Sequence, residues 1–218
     1  MDKIIEKITY DDKTGCFLFK ISNSNQAQDF LLSYETYIKL NLHVDDLVDG
    51  DTYELISAED KKNRALIYAE KYALYAQRSE GQVIKKLKLK AFDDQLICEI
   101  IEILKQKGLL NDAEFALRYS RDRSRLKKWS KRKISSKLYE LGLRPVDIEN
   151  ALAKLDDEVE SNSLRDILYK KYGARDLTDR KEFDRTYQAM VRRGFNPGHV
   201  LKEMNSKLEE DKMEQSDL

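Results

Sequence analysis

The sequence predicts a mainly α protein: three tandem three-helix repeats forming an elongated curved array, preceded by a small β-rich N-terminal module. Three observations predict it. An apolar pair with four residues between its members recurs at Phe92/Ile97, Leu143/Ile148 and Phe195/Val200, at spacings of 51 and 52 residues, and Leu87, Leu138 and Met190 keep the same register upstream. Self-similarity at a fixed period marks a supersecondary unit that has been copied and stacked. Only 2 Pro and 8 Gly occur in 218 residues, so long helices meet few interruptions. The first sixty residues differ from the rest, with short β-prone runs between turn clusters.

That N-terminal stretch reads as strands over Ile4 to Tyr10 and Cys16 to Ile21, joined by the turn residues Asp11-Asp12-Lys13-Thr14-Gly15. Ser22-Asn23-Ser24-Asn25 is a second turn, followed by a third run around Phe30-Leu31-Leu32, a short helix from Tyr34 to Leu40 and a turn signal at Asp49-Gly50. The module is expected to end near Ser57, where Ser57 and Asp60 resemble a helix-opening pair. The expected division is therefore 1–57 for the module, 58–108, 109–158 and 159–208 for the repeats, and 209–218 for a charged tail.

Each repeat follows from local signals. In the first, Leu66, Ala69, Ala73 and Ala76 form a helical stripe beside Tyr72, and Ser79 with Gln82 reads as a capping box. With Asp93 as N-cap, Phe92 and Ile97 occupy the staple positions that fix how a chain enters a helix. Ile97, Ile100, Ile101 and Leu104 supply its buried face, and Gly108 closes it. In the second, Asn111 and Glu114 open a helix with Leu110 and Phe115 as staple. Ser130 opens another, with the stripe Ile134, Leu138 and Leu141 ending at Gly142, and Pro145 takes N1 of the next. In the third, a helix runs around Leu164 to Tyr172 with Gly173 after it. Asp179 and Glu182 open a second that stops at Gly194, and Pro197 starts a last one carrying Val200, Leu201, Met204 and Leu208. The residues from Glu209 are expected to fray. No Gly/Ser- or Pro-rich linker separates the repeats, which favours a continuous array over independent helix-turn-helix folds.

Net charge is zero, with 40 Lys and Arg against 40 Asp and Glu, but the zero hides an asymmetry. Residues 1–60 carry 5 cations and 13 anions (−8), residues 61–150 carry 22 and 12 (+10), and residues 151–218 carry 13 and 15 (−2). The densest feature is Arg118, Arg121, Arg123, Arg125, Lys127, Lys128, Lys131, Arg132 and Lys133 against the lone Asp122, around Trp129. So many nearly unopposed cations point to phosphate or to an acidic protein surface rather than to a solvated helix face. Lys85, Lys86, Lys88 and Lys90, beside Leu87 and Leu89, read instead as an amphipathic helix with snorkelling lysines.

Signatures of catalysis are missing: no P-loop, no dinucleotide turn and no nucleophile elbow. His43 and His199 stand alone, and the paired acids Asp45-Asp46 and Asp156-Asp157 read as solvated. Cys16 and Cys98 suggest neither a disulfide framework nor a metal site, so no catalytic, cofactor or metal residue is assigned. With no leader pattern and no long apolar stretch, a cytoplasmic protein without a membrane partner is expected.

Arg78-Ser79-Glu80, Leu87, Phe92 and Ile97, then Gly108-Leu109-Leu110-Asn111-Asp112, Phe115-Ala116, Tyr119, Arg121 and Arg123, resemble the RecX family of recombination regulators. The resemblance continues through Lys133-Ile134, Leu138, Gly142 and Arg192-Arg193-Gly194-Phe195, covering residues 60–208, and the β-rich start is similar to the N-terminal module of some members. The chain departs from the family where Lys90-Ala91 and Val44-Asp45 replace a common Lys-Gly, and the first departure bears on how that helix ends. The resemblance implies a non-enzymatic monomer that binds the RecA recombinase filament in DNA recombination, repair and the SOS response. It would lower RecA's ATPase and strand exchange by blocking filament growth or promoting disassembly, with single- or double-stranded DNA as a further partner. A general DNA-binding protein with a helix-turn-helix-like group and no recombinase partner is the alternative. A pure scaffold, in which the basic run plays no part, is a third.

Overall fold

The computed structural model describes residues 3–23 and 26–216, with side chains to Met213. The turn residues Ser24 and Asn25 lie outside the described residues. β1 (Lys3–Asp11), β2 (Cys16–Asn23), β3 (Gln26–Leu32) and β4 (Leu47–Val48) form one antiparallel sheet in the order β3-β2-β1-β4. Alternation along these strands sends Ile5, Phe19, Ile21, Phe30 and Leu32 to one buried face. Helix α1 (Tyr34–Leu40), capped by Ser33, matches its sequence signal, whereas the two-residue β4 carried none.

α2 (Gly50–Tyr75) corrects the reading of this region. It opens at Asp49, whose carboxylate accepts the Thr52 amide at 2.7 Å, and runs 26 residues through the position where Ser57 and Asp60 looked like a start. Asp60 instead accepts the Leu31 amide of β3 at 2.7 Å and binds Arg64 at 2.8 Å. Ile56 completes the sheet's apolar cluster, while Ala65 and Ala69 of the same helix enter the next.

α3 (Glu80–Lys88), α4 (Asp94–Gln106), α5 (Asp112–Lys127), α6 (Lys131–Glu140), α7 (Pro145–Ala153), α8 (Asp157–Tyr172), α9 (Arg180–Arg192) and α10 (Pro197–Ser216) follow, and no described residue after Val48 is in a strand. Each helix triplet has its own core: α2–α4 around Leu87, α5–α7 around Leu138, α8–α10 around Met190. These three residues are at most 1% exposed, and Ile97, Ile148 and Val200 at most 2%. Asp93, Asn111, Ser130 and Asp179 act as N-caps, and Pro145 sits at N1.

Some sequence readings shift. α8 starts seven residues before Leu164, with Asp156 accepting the Glu158 amide, and α10 continues helically to Ser216 where fraying was expected. Leu110 belongs to the core of α2–α4 and Phe115 to that of α5–α7, so they do not share a cluster as a staple pair would.

The chain packs as two compact units, residues 1–78 with 82–110, and residues 79–81 with 111–218. Within the second, one joint is used twice. Ser79 donates to the carbonyl of Leu141, and Ser130, 51 residues on, to that of Arg193 at 3.1 Å. The Glu80 amide donates to Asp112 at 2.8 Å, and the Lys131 amide to Glu160 at 3.3 Å. A Cβ on Gly81 would lie 2.5 Å from the Leu141 carbonyl oxygen, so only glycine fits that approach.

Candidate functional site

The basic run lies in the second unit, on the last turns of α5, the connection to α6 and the first turn of α6. α5 is oriented for it: Asp112 and Glu114 occupy its first turn, Arg125 and Lys127 its last, as the helix dipole favours. Its inner stripe, Ala116, Ser120 and Ser124, is small and buried, which leaves Arg118, Arg121 and Arg125 on exposed positions. Lys128 ends the helix in the left-handed region at φ 51°, turning the chain so that Ser130 can cap α6.

The nine cations separate into three kinds. Arg118, Lys128 and Lys131 are tied to acids: Arg118 to Glu114 at 3.6 Å, Lys128 to Asp166, and Lys131 to Asp157 at 2.5 Å. Hydrogen bonding to Lys131 holds the Asp157 carboxyl below the usual carboxylate range, and bonds from Lys128 and Lys170 do the same for Asp166. Glu160, which receives the Lys131 amide, is pushed the other way by burial.

Arg123 and Lys133 form a second kind, arranged around aromatic rings. The Arg123 guanidinium lies 4.8 Å from the Tyr119 ring and 5.5 Å from Trp129, and the Lys133 ammonium lies 4.5 Å from Trp129. Such cation–π placement immobilises both groups. Arg123 Nε is buried and has no hydrogen-bond partner among the described residues.

Arg121, Arg125, Lys127 and Arg132 are the third kind, exposed and with no ion pair recorded among the described residues. Arg121 and Arg125 line a cavity of about 220 Å³ with Ser124, Lys154, Leu155, Asp156 and Val159. Lys154 was not in the sequence reading. It lies 29 residues beyond Arg125 and reaches this cavity only because α5 packs with α7. Its one sequence signal is a cation just after α7, where a helix C-terminus favours it.

The remaining candidates are dispersed. Lys86 and Arg78 lie over Tyr72, Lys88 pairs with Asp94 at 2.8 Å, and Lys90 lies over Tyr68. Cys16 is buried and Cys98 exposed, and no group of His, Cys, Asp and Glu among the described residues is placed to hold a metal ion.

The pattern that defines the RecX second three-helix domain matches residues 111–152, which span α5, α6 and α7 to its penultimate residue and include all nine cations. The regulatory protein RecX of Finegoldia magna is 31% identical over 140 residues, covering 64% of this chain and 67% of that protein. The RecX of Clostridium perfringens strain SM101 is 28% identical over 182 residues, covering 79% and 82%. In fold, the chain is similar to a crystal structure of regulatory protein RecX (TM-score 0.72, 20% identity, 93% of this chain and 99% of that one). It is also similar to RecX from Lactobacillus salivarius (TM-score 0.58, 22% identity, 69% and 97%). Identity to the Finegoldia protein across two thirds of its length, and a family-defining match over the triplet that bears the cations, place this chain in the RecX family.

Proposed function

We propose that this protein is a non-enzymatic, cytoplasmic regulator that binds the RecA–DNA filament and lowers its ATPase and strand exchange. It does so by stopping filament growth or hastening disassembly. The observation that carries the reading is the set of unpaired cations Arg121, Arg125, Lys127 and Arg132 within the segment matched as a RecX domain. A filament of protein on DNA is a repeating polyanion-bearing partner, and exposed cations without internal acids are the groups that lose least on meeting it. The helix triplets α2–α4, α5–α7 and α8–α10 would act as three contact modules of a monomer, each weak alone and strong together. The absence of any membrane-spanning helix among the described residues is compatible with a soluble partner.

The test is RecA ATPase on single-stranded DNA with the full chain titrated in. The expected outcome is inhibition that the reversal Arg121→Glu/Arg125→Glu/Lys127→Glu/Arg132→Glu weakens. An unchanged ATPase rate would remove the reading.

The Arg121–Arg125–Lys154 cavity favours one second reading, direct DNA binding with no recombinase. Three cations around a space of that size suit a backbone phosphate. Affinity for DNA alone, falling steeply with salt while RecA activity is untouched, would favour it.

A further inference from the structure

One face of α2 in the first unit carries Arg64, Ile67, Tyr68 and Lys71, the i, i+3, i+4, i+7 spacing that aligns side chains along a helix. Together with Thr14 and Leu31 of the sheet region, and with Lys90 and Phe92 after α3, these residues enclose an open groove of about 380 Å³. Leu31, Ile67, Tyr68 and Phe92 are each half-buried and give it an apolar floor. Arg64, Lys71 and Lys90 are exposed at its rim, with the Lys90 ammonium 5.4 Å from the Tyr68 ring.

Four acids near this rim are engaged. Asp60 holds Arg64 and the Leu31 amide, Asp93 pairs with Lys61 at 2.6 Å, Asp94 with Lys88 at 2.8 Å and Glu70 with Lys107 at 2.5 Å. Lys71 and Lys90 have no ion pair recorded among the described residues. They stand beside a stretch, residues 1–60, whose net charge is −8.

We propose that this groove docks an acidic peptide segment of a partner protein, anchored by one large apolar side chain. An apolar floor of this volume takes a single aromatic or aliphatic side chain, and desolvating it is the main attraction. Carboxylates flanking that anchor reach Lys71 and Lys90. The acidic stretch of residues 1–60 repels the same peptide around the groove, so charge helps to fix how it sits there. A basic segment would meet the rim cations unfavourably. A nucleic-acid strand would need a continuous cationic track, and here the cations are confined to the rim. The proposal does not depend on the recombinase reading.

The test uses the full chain and a fluorescein-labelled peptide of about twelve residues, Asp and Glu around a central Phe, read by anisotropy at low and physiological ionic strength. Saturable binding is expected, weakened at least tenfold by Lys71→Glu/Lys90→Glu and several-fold by Ile67→Ser. The same peptide with Ser for Phe should bind at least tenfold more weakly. Arg121→Glu/Arg125→Glu should leave the affinity within twofold, because neither cation lines the groove. Helical circular dichroism and melting of the Lys71→Glu/Lys90→Glu chain should match the parent, since both lysines are exposed. The proposal is overturned if the Phe peptide fails to bind, if the Ser peptide binds equally, or if the lysine reversals change nothing. Loss of binding in Arg121→Glu/Arg125→Glu would assign the peptide to the central basic run. Self-association that the lysine reversals abolish would assign the groove to a second copy, and either result also overturns the proposal.

Discussion

The helix triplets α2–α4 and α5–α7 have separate cores of the same plan and differ in their surfaces. Both bury a leucine at the same register, Leu87 and Leu138, and both place an apolar staple residue 10 positions on, Ile97 and Ile148. Their cations are distributed differently, although each triplet holds both paired and unpaired ones. In the first triplet Lys61, Lys62, Arg64, Lys88, Lys105 and Lys107 each meet an acid within 3.1 Å. In the second, Arg121, Arg125, Lys127 and Arg132 meet none among the described residues. The residues that hold a triplet together are alike in both, and the features that differ are the better guide to what each touches.

The largest effects test that common plan. Leu87→Ala and Leu138→Ala should each lower stability by about 2–5 kcal/mol in urea unfolding, because each removes a fully enclosed side chain. A cost below about half a kcal/mol at either site would break the common register.

Next comes the contrast in surface charge. The reversal Arg121→Glu/Arg125→Glu/Lys127→Glu/Arg132→Glu should weaken binding to RecA–DNA filaments by tenfold or more, about 1.4 kcal/mol or above. Its melting temperature should stay near that of the parent, since exposed charges contribute about 0–1 kcal/mol each. Lys128→Glu should behave differently and disturb local structure, as Lys128 is bound to Asp166.

A smaller effect separates the triplets at one corner. Ala91, Gly142 and Gly194 occupy equivalent positions, and all three have positive φ, at 59°, 84° and 90°. A Cβ in the left-handed region costs about 1–2 kcal/mol, so Ala91→Gly should stabilise the chain by about 1 kcal/mol. Gly142→Ala should destabilise it, with an added clash where its Cβ would come within 3.0 Å of Gly81 Cα. Thermal unfolding of the two variants checks the sign of each.

The smallest effect is the pH dependence of the carboxylates that tether Lys131 and Lys128. Asp157 and Asp166 titrate below their ordinary value in the folded chain, so their contribution is complete above the unfolded range, about pH 4, and disappears as pH falls through the lowered values. The difference in urea midpoint between the parent and Asp157→Asn/Asp166→Asn should therefore shrink between pH 7 and pH 3. A difference that stays constant would mean these pairs do not stabilise the fold.

Much of this was legible in the sequence, for identifiable reasons. Asp93, Asn111 and Ser130 act on amides three residues away, and Pro145 acts through its own ring, so local pattern suffices. Tertiary partners were illegible. Asp60 has the composition of a helix opener and instead binds β3, 29 residues earlier, and the two-residue β4 exists only because β1 is there to pair with it. At the candidate site the sequence displayed nine cations and could not distinguish those bound to Asp157 or Asp166 from those left unpaired. Lys154 entered the site through packing of α7, beyond the reach of any run of neighbouring residues.

α2 has a consequence for folding cooperativity. At about 1.5 Å per residue its 26 residues extend roughly 39 Å, and the same rod supplies Ile56 to the sheet's core and Ala65 and Ala69 to the next. Neither core can open without fraying the rod that serves the other. Amides of β2 and of α4 should therefore exchange with solvent in one shared opening event, and a chain begun at residue 58 would expose the second core as well as lose the first.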